Sequence, residues 1–515
     1  MRKLINNANE FVDEATEGIL MAHPRSLRWA AENRRAVVRA SAGTDGKVGI
    51  VTGGGSGHLP LFLGYVGEGL ASGVAIGNVF SSPSPEAIYA ATKASDTGRG
   101  VLYLYGNYGG DIYNFDIAAE MAAADGIDTT TVRGHDDILS ASETDAEKRR
   151  GVAGLFFLYK VSGAAADAGY DLATVKRLTL RASKNTATVG VGLSPTILPA
   201  AGEPTFHLED GQMEIGIGIH GEKGRYKGEL RSADSITEEL LSELVDGLAL
   251  VEADEVAILV NGLGATPLEE LYIMYRKASA MLHERSINLS RVYVGNFATS
   301  LEMTGASISL LKLDHELRDL LDTPASSPFF RQTEPPVCEA MPISAPTSAL
   351  SAQDEEPREA TSEIKPGDFR STAIIVLSKL THHSEELREL DASIGDGDLG
   401  VTISEGVKSA VQSIKSLPAD ADVSEVLRAI GVGFAAGNPS TFAALVGGGI
   451  ASASLTMKDQ AELGQAEWLK IIKATLDSVQ RRGKATTGDK TIVDPLSSMV
   501  QYLERSIPDA TITGL

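Results

Sequence analysis

Apolar positions along the first 320 or so residues fall into short runs of strand type, separated by stretches with helical spacing. KVGIVTGG (47–54), RGVLYLYG (99–106) and DTTTVRG (128–134) predict strands. SPSPEAIYAATKAS (82–95) and FDIAAEMAAADG (115–126) predict the helices between them. Such alternation predicts a parallel or mixed α/β sheet. A second α/β stretch follows, with strands at EVAILVNG (255–262) and LSRVYVGN (289–296) and a helix at PLEELYIMYRKASAML (267–282); the division is expected near residue 190. After residue 368 the period changes. TAIIVLSKLTHHSEELREL, VTISEGVKSAVQSIKSL, VSEVLRAIGVGFAAG and AEWLKIIKATLDSVQRR all repeat at helical spacing, which predicts an all-α bundle. Between them, Thr323 to Gly367 is rich in Pro, Ser, Thr and Glu and has no sustained apolar period. It reads as a linker, because it buries too little surface to offset its ordering entropy. The expected layout is therefore residues 1–323, with subdomains of about 1–190 and 191–323, then a linker 324–367 and a helical domain 368–515.

Composition narrows the classes of function. A chain of 515 residues suits about three structural units. The net charge of −23 argues against nucleic acid and anionic membrane surfaces as partners, since both need basic patches. It does not exclude a nucleotide, which needs only a local pocket of amides and metal. Cys338 is the single cysteine, so no intrachain disulfide forms, in keeping with a reducing compartment. The N-terminus MRKLINNANEF has no apolar signal core, and the most apolar stretch, Leu248 to Val260, is broken by Glu252, Asp254 and Glu255. A cytoplasmic protein is expected.

Five segments carry candidate chemistry. In VTGGGSGHLP (51–60) a strand runs into Gly53, Gly54, Gly55, Ser56, Gly57 and His58; consecutive glycines let backbone amides approach an oxygen-rich ligand, although a tight turn explains them as well. YGNYGGDIYNFD (105–116) also follows a strand, where ligands of open α/β sheets gather. Its Asp111 can act as a general base or simply hold a turn. In EIGIGIHGEKG (214–224), His220 reads as a core histidine, a metal ligand or a nucleophile, without a companion cluster of zinc spacing. LDASIGDGDLGVTISEG (390–406) places Asp391, Asp396 and Asp398 within eight positions. Three anions this close are reconciled by a divalent cation, and oxygen ligands suit Mg²⁺. Finally Ser440 and Thr441 precede a predicted helix, and Gly488, Asp489 and Lys490 precede another; each set serves as a helix cap or as the rim of a nucleotide site.

Taken together, LINNANEFVDEATEGIL, the GGGSGH segment, GNYGGDIYNF, GIGIHGE, LVNGLGATPLEELY and SLLKLDHEL resemble the ketone-binding domain of the dihydroxyacetone kinase family. LDASIGDGDLG and TGDKTIVD resemble its nucleotide-binding domain, a barrel of antiparallel helices. The resemblance covers nearly the whole chain and implies an ATP- and Mg²⁺-dependent kinase of short ketoses, working as a homodimer. It implies that His220 adds to the substrate carbonyl as a hemiaminal, that His58 contacts the substrate, and that Asp111 is the base for the phosphorylated hydroxyl. Gly55, Ser56, Gly57 and Gly110 would line the ketose pocket, and Asp391, Asp396 and Asp398 would hold the metal at the ATP phosphates.

Three departures qualify this. Gly106 and Leu59 stand where many relatives carry lysine and glutamate, which points toward a four-carbon ketose such as erythrulose. Leu399 stands where histidine is usual. The helical region also looks short against the family's, ending soon after the GDKT segment. Two other readings remain open at this level: a ketose-binding sensor without turnover, and a cyclising FAD-AMP lyase. A dinucleotide-dependent oxidoreductase is disfavoured, because the required glycine spacing and ribose-binding acid are not evident.

Overall fold

The computed structural model describes residues 3–30, 33–336, 368–393, 397–418, 420–458 and 463–506. The chain divides into two compact units, residues 1–343 and 344–515. The first opens with α1 (Phe11–Ala22) and continues through β1 (Leu27–Ala30), β2 (Asn33–Arg39), β3 (Gly49–Ser56), β4 (Gly73–Val79), α2 (Pro85–Ser95), β5 (Val101–Gly106), α3 (Gly109–Ala124) and β6 (Thr129–Gly134). These strands form one sheet in the order β1-β2-β4-β3-β5-β6. β4, β3, β5 and β6 run parallel, and β2 is antiparallel both to β4 and to the edge strand β1.

Two helices follow, α4 (Leu155–Asp167) and α5 (Leu172–Lys184), and the second sheet then begins with β7 (Thr186–Ser194). It adds β8 (Gln212–Ile215), β9 (Tyr226–Glu229), α6 (Ala233–Gly247), β10 (Glu255–Gly262), α7 (Leu268–Glu284), β11 (Asn288–Gly295), β12 (Thr304–Leu313) and α8 (His315–Asp322). Its order is β11-β10-β12-β7-β8-β9, antiparallel except for β10–β11. α4 is apolar around most of its circumference and buried from Leu155 to Ala166. A helix hydrophobic all round must be enclosed, and its Leu155, Phe156 and Phe157 share one core with Ile50 and Leu104 of the first sheet and Leu259 and Leu311 of the second. Each such side chain contributes roughly 1.5–3 kcal/mol on burial.

The start of the segment expected to be a linker is part of this unit. β13 (Ala325–Ser326) pairs with β14 (Arg331–Gln332). Phe330 packs against Phe156 at 5.2 Å between ring centroids, and the buried Tyr293 hydroxyl donates to Gln332 Oε1 at 3.0 Å. An apolar period is not needed here, because one aromatic ring and one amide anchor the segment.

The second unit is helical throughout its described residues: α9 (Phe369–Leu380), α10 (Ser384–Ala392), α11 (Leu399–Lys415), α12 (Val423–Gly437), α13 (Thr441–Ser454), α14 (Gln465–Gly483) and α15 (Val493–Ser506). From α11 on, neighbouring helices run antiparallel. Gly406 of α11 meets Phe434 of α12, Gly431 of α12 meets Gly447 and Ala451 of α13, and Gly483 of α14 meets Leu445 of α13. This up-and-down course brings the segments before α11, before α13 and before α15 to one end of the bundle. The α12–α13 contact is close enough that a Cβ on Gly431 would stand 2.4 Å from Ala451 N and 2.5 Å from Gly447 O. Gly431→Ala is therefore expected to separate these helices and destabilise the unit by about 1–3 kcal/mol. The urea transition of the full chain, followed through Trp468 in a Trp29→Phe background, measures this; an unchanged midpoint would contradict the packing.

Candidate functional site

Parallel strands end together, so the segments that follow β3, β4, β5 and β6 collect at one edge of the first sheet. His58 follows β3, Phe80 and Ser82 follow β4, Tyr108 and Asp111 follow β5, and Asp136 and Asp137 follow β6. His220 comes from the turn after β8 of the second sheet and joins them. Its ring centroid lies 4.7 Å from that of His58, 5.2 Å from Phe80 and 4.9 Å from Tyr108, edge-on in each case. Phe80 in turn stacks on His58 at 4.8 Å with 12° between planes.

The glycine run belongs to the strand and packs closely. Gly53, Gly54 and Gly55 lie within β3, and their missing side chains make room for neighbours. A Cβ on Gly54 would stand 2.3 Å from the Phe62 ring, and one on Gly55 2.8 Å from Phe80 Cα. Gly57 carries the turn out of the strand at φ +104°, a region that L side chains rarely adopt. The Ser56 hydroxyl donates to Gly77 O at 2.9 Å. Beyond the segment, between it and α1, lies an apolar cavity of about 230 Å³ that Leu59 also lines.

His58 is buried. Its Nδ1 lies 2.7 Å from the carbonyl of Thr299. A carbonyl only accepts, so Nδ1 carries the proton and Nε2 is left as a lone-pair acceptor. Among the described residues no group bonds Nε2. Burial, with the neighbouring His220 acting in the same direction, lowers the His58 pKa to about 3, so the ring is neutral. Asp111 lies in the first turn of α3 without capping it. Burial raises its pKa to about 6, a bond from Ser82 and the proximity of His220 oppose the rise, and one carboxylate oxygen has no partner. The buried Tyr108 hydroxyl is also unpartnered. Neighbouring Gly110 is open except toward Ser82, whose Oγ would stand 2.6 Å from a Cβ there. Three unsatisfied polar groups around one partly exposed imidazole make a site for a small polyhydroxylated molecule, because its hydroxyls would restore the bonds they lack.

His220 is itself held. Its Nδ1 lies 2.8 Å from Glu222 Oε1, and its backbone N–H donates to Glu222 Oε2 at 3.0 Å. Arg150 sits beside Glu222 at 3.8 Å and pairs with the buried Asp137 at 2.7 Å. Glu222, Arg150, Phe80, Tyr108 and Thr299 were not singled out by sequence. Only Glu222, two residues beyond His220 across a glycine, gave a local signal; the others are brought in by topology.

In the helical unit, Asp391 Oδ2 accepts the N–H of Leu399 at 3.3 Å, and Asp398 is the N-cap of α11, so both carboxylates stand at that helix N-terminus. Asp396 lies outside the described residues. Thr402, one turn into α11, donates to Ser440 Oγ at 3.2 Å and accepts from Asn438 at 3.1 Å; Ser440 caps α13, whose first residue is Thr441. The Gly488 N–H donates to Asp494 in the first turn of α15, and Asp489 accepts the Thr486 N–H within the loop before it. The topology brings this loop to the same end of the bundle as the segment before α11. Among the described residues no three His, Cys, Asp or Glu converge on a metal position. The donor set that remains, two carboxylates at a helix N-terminus with hydroxyls beside it, fits a hard divalent cation and phosphate oxygens.

No helix among the described residues is long and apolar enough to cross a membrane. ¹⁵N correlation spectra of histidine-labelled protein should show His58 as the Nδ1–H tautomer, not titrating between about pH 5 and 8. A charged or Nε2–H ring in that range would refute the buried-acceptor geometry.

Comparison with known proteins shows two domain matches, Dak1 domain over residues 17–329 and DAK2 domain over residues 393–513. An L-erythrulose kinase of Pectobacterium atrosepticum is 35% identical, the alignment covering 99% of this chain and 88% of that protein. An L-erythrulose 1-kinase of Mycolicibacterium smegmatis is 34% identical over 96% of this chain and 87% of its own. Among solved structures, the dihydroxyacetone kinase from C. freundii in complex with AMP-PNP and Mg²⁺ superposes with a TM-score of 0.67 at 26% identity, covering 98% of this chain and 91% of that one.

Proposed function

The chain belongs to the dihydroxyacetone kinase family, and from that premise we propose that it phosphorylates a short ketose from Mg-ATP, holding the substrate on His220 as a hemiaminal. The observation that carries the reading is the meeting of His220 with a buried neutral His58 and with Asp111. A carbonyl carbon bound to His220 selects ketoses over polyols, which have none. The His58 Nε2 lone pair then accepts a substrate hydroxyl. Asp111, ionised above about pH 6, removes the proton from the hydroxyl that is phosphorylated. Gly55, Ser56, Gly57 and Gly110 supply the pocket walls.

In the helical unit, Asp391, Asp396 and Asp398 would hold Mg²⁺, with Ser440, Thr441, Gly488 and Asp489 at the nucleotide rim. Bound there, Mg²⁺ supplies charge neutralisation at the ATP phosphates. The residues' own part is to fix that charge and align the donor. The substrate we favour has four carbons. Relatives named as L- and D-erythrulose kinases align over 87–88% of their own length, and neither Gly106 nor Leu59 brings a charge to the pocket.

ATP consumption with dihydroxyacetone and with D- and L-erythrulose tests the reading. Turnover is expected, fastest with an erythrulose; ketose binding without turnover would favour a sensor and overturn it. The acid limb of kcat/KM is expected near pH 6, rates falling below it as Asp111 takes up its proton, and Asp111→Asn should lower kcat by about 10²–10⁴. A limb unchanged in that variant would remove Asp111 from the role. Asp396→Asn should abolish Mg-ATP binding by calorimetry while ketose binding persists; full ATP affinity would dismiss the metal assignment.

A further inference from the structure

We infer that Glu222, clamped by Arg150, is a positioning residue that fixes the tautomer of His220 and thereby selects which ring nitrogen reacts. The inference rests on the proposal that His220 is the nucleophile. A turn closes over residues 218–222, with Gly221 N–H donating to Gly218 O at 3.0 Å and Gly218 N–H to Glu222 O at 3.0 Å. It folds the Glu222 side chain back onto His220, one oxygen to Nδ1 at 2.8 Å and the other to the His220 N–H at 3.0 Å.

The Glu222 carboxyl is held down at about pKa 2: its bonds to His220 and the charge of Arg150 outweigh a burial that acts the other way. It is therefore an anion that can only accept. Nδ1 of His220 must carry a proton, and in the neutral ring the lone pair is at Nε2. Arg150 is oriented from the far side by Asp137, through Nε at 2.9 Å, and by Gly216 O at 2.9 Å. Gly218 makes the arrangement possible: a Cβ there would stand 2.1 Å from Glu222 Oε2 and 2.5 Å from Arg150 Nη1. The other titratable groups around the His220 ring are His58, Tyr108 and Asp111. None of them is recorded in a hydrogen bond to its Nδ1.

The chemistry that follows balances without a further reactant. The Nε2 lone pair forms the N–C bond, and the carbonyl π pair becomes an alkoxide pair. The ring, now substituted at Nε2, holds a positive charge and its Nδ1 proton beside the Glu222 carboxylate, which stabilises that charge. Net transfer of that one proton from Nδ1 to the alkoxide, relayed by solvent at the part-exposed ring, leaves a neutral hemiaminal. A base orienting a nucleophilic ring and then stabilising the charge that develops on it is the same arrangement by which a carboxylate serves a catalytic histidine.

A purely structural part for Glu222, bracing the turn, would lower stability without changing the tautomer. ¹⁵N spectra of the wild type are expected to show His220 protonated at Nδ1; an Nε2–H ring would overturn the inference directly. In Glu222→Gln, the neutral amide no longer enforces that tautomer. A mixture of tautomers is expected, with ketose adduct by ¹³C NMR reduced at least about tenfold and Mg-ATP affinity unchanged. Gly218→Ala, which displaces the carboxylate while leaving it in the sequence, should behave alike. Wild-type tautomer and adduct levels in both variants would overturn the inference. His220→Ala separates the two proposals: an adduct that survives it defeats the nucleophile itself, whereas loss of adduct there, with Glu222→Gln unaffected, defeats only the positioning.

Discussion

Everything at the site depends on how the first sheet is stitched to the second. Leu301 N–H donates to Gly57 O at 2.7 Å, Thr299 Oγ1 to Leu59 O at 2.8 Å, and His58 Nδ1 to Thr299 O at 2.7 Å. Tyr65 adds a fourth link, its hydroxyl donating to Phe297 O at 2.8 Å. A segment after β3 is thereby fastened to one between β11 and β12. The His58 link has an electronic result as well as a mechanical one: a single carbonyl decides that His58 presents an acceptor. Loss of that contact would free the ring to adopt the other tautomer, and the site would offer a donor where an acceptor is needed.

The two histidines thus follow one rule with different partners. His58 is set by a backbone carbonyl inside a fully buried stack, which keeps it neutral. His220 is set by a side-chain carboxylate at the edge of the pocket, which leaves the rest of its ring part exposed. They stand 4.7 Å apart, edge to face, and in the proposed reaction one would act on a carbonyl and the other on a hydroxyl of a molecule only a few atoms long. Asp111 completes the set from the start of α3. There burial holds its proton up to about pH 6, which suits the base proposed for the phosphorylated hydroxyl.

Much of this was readable from the sequence. The strand runs, the change of period after residue 368 and the family motifs gave two chemistries in the right order. His58, Asp111 and His220 were named from local pattern, and the structure brings them to one site. The glycines also have a packing role that their spacing did not suggest: Gly54 and Gly55 clear space for Phe62 and Phe80. Phe80, Tyr108, Arg150 and Thr299 carried no signal because their part depends on partners far off in sequence, His220 for Phe80 and Asp137 and Glu222 for Arg150. The three carboxylates of LDASIGDGDLG are only partly placed. Asp391 and Asp398 meet at the start of α11, while Asp396 is outside the described residues.

The short β13–β14 pairing has a practical bearing on where the chain can be divided. A separate ketose-binding fragment ended at residue 323, or at the domain match's last residue, 329, would discard Phe330 and Gln332. Phe330 lies among the rings of Tyr65, Phe156 and Phe297, and Gln332 is the acceptor for the buried Tyr293 hydroxyl. Tyr65 is also the residue that ties the two sheets through Phe297. Trimming a segment with the composition of a tether would therefore loosen the wall behind the candidate site, and a boundary drawn by composition alone at residue 323 falls ahead of Phe330 and Gln332, too early for the fragment to keep its own core.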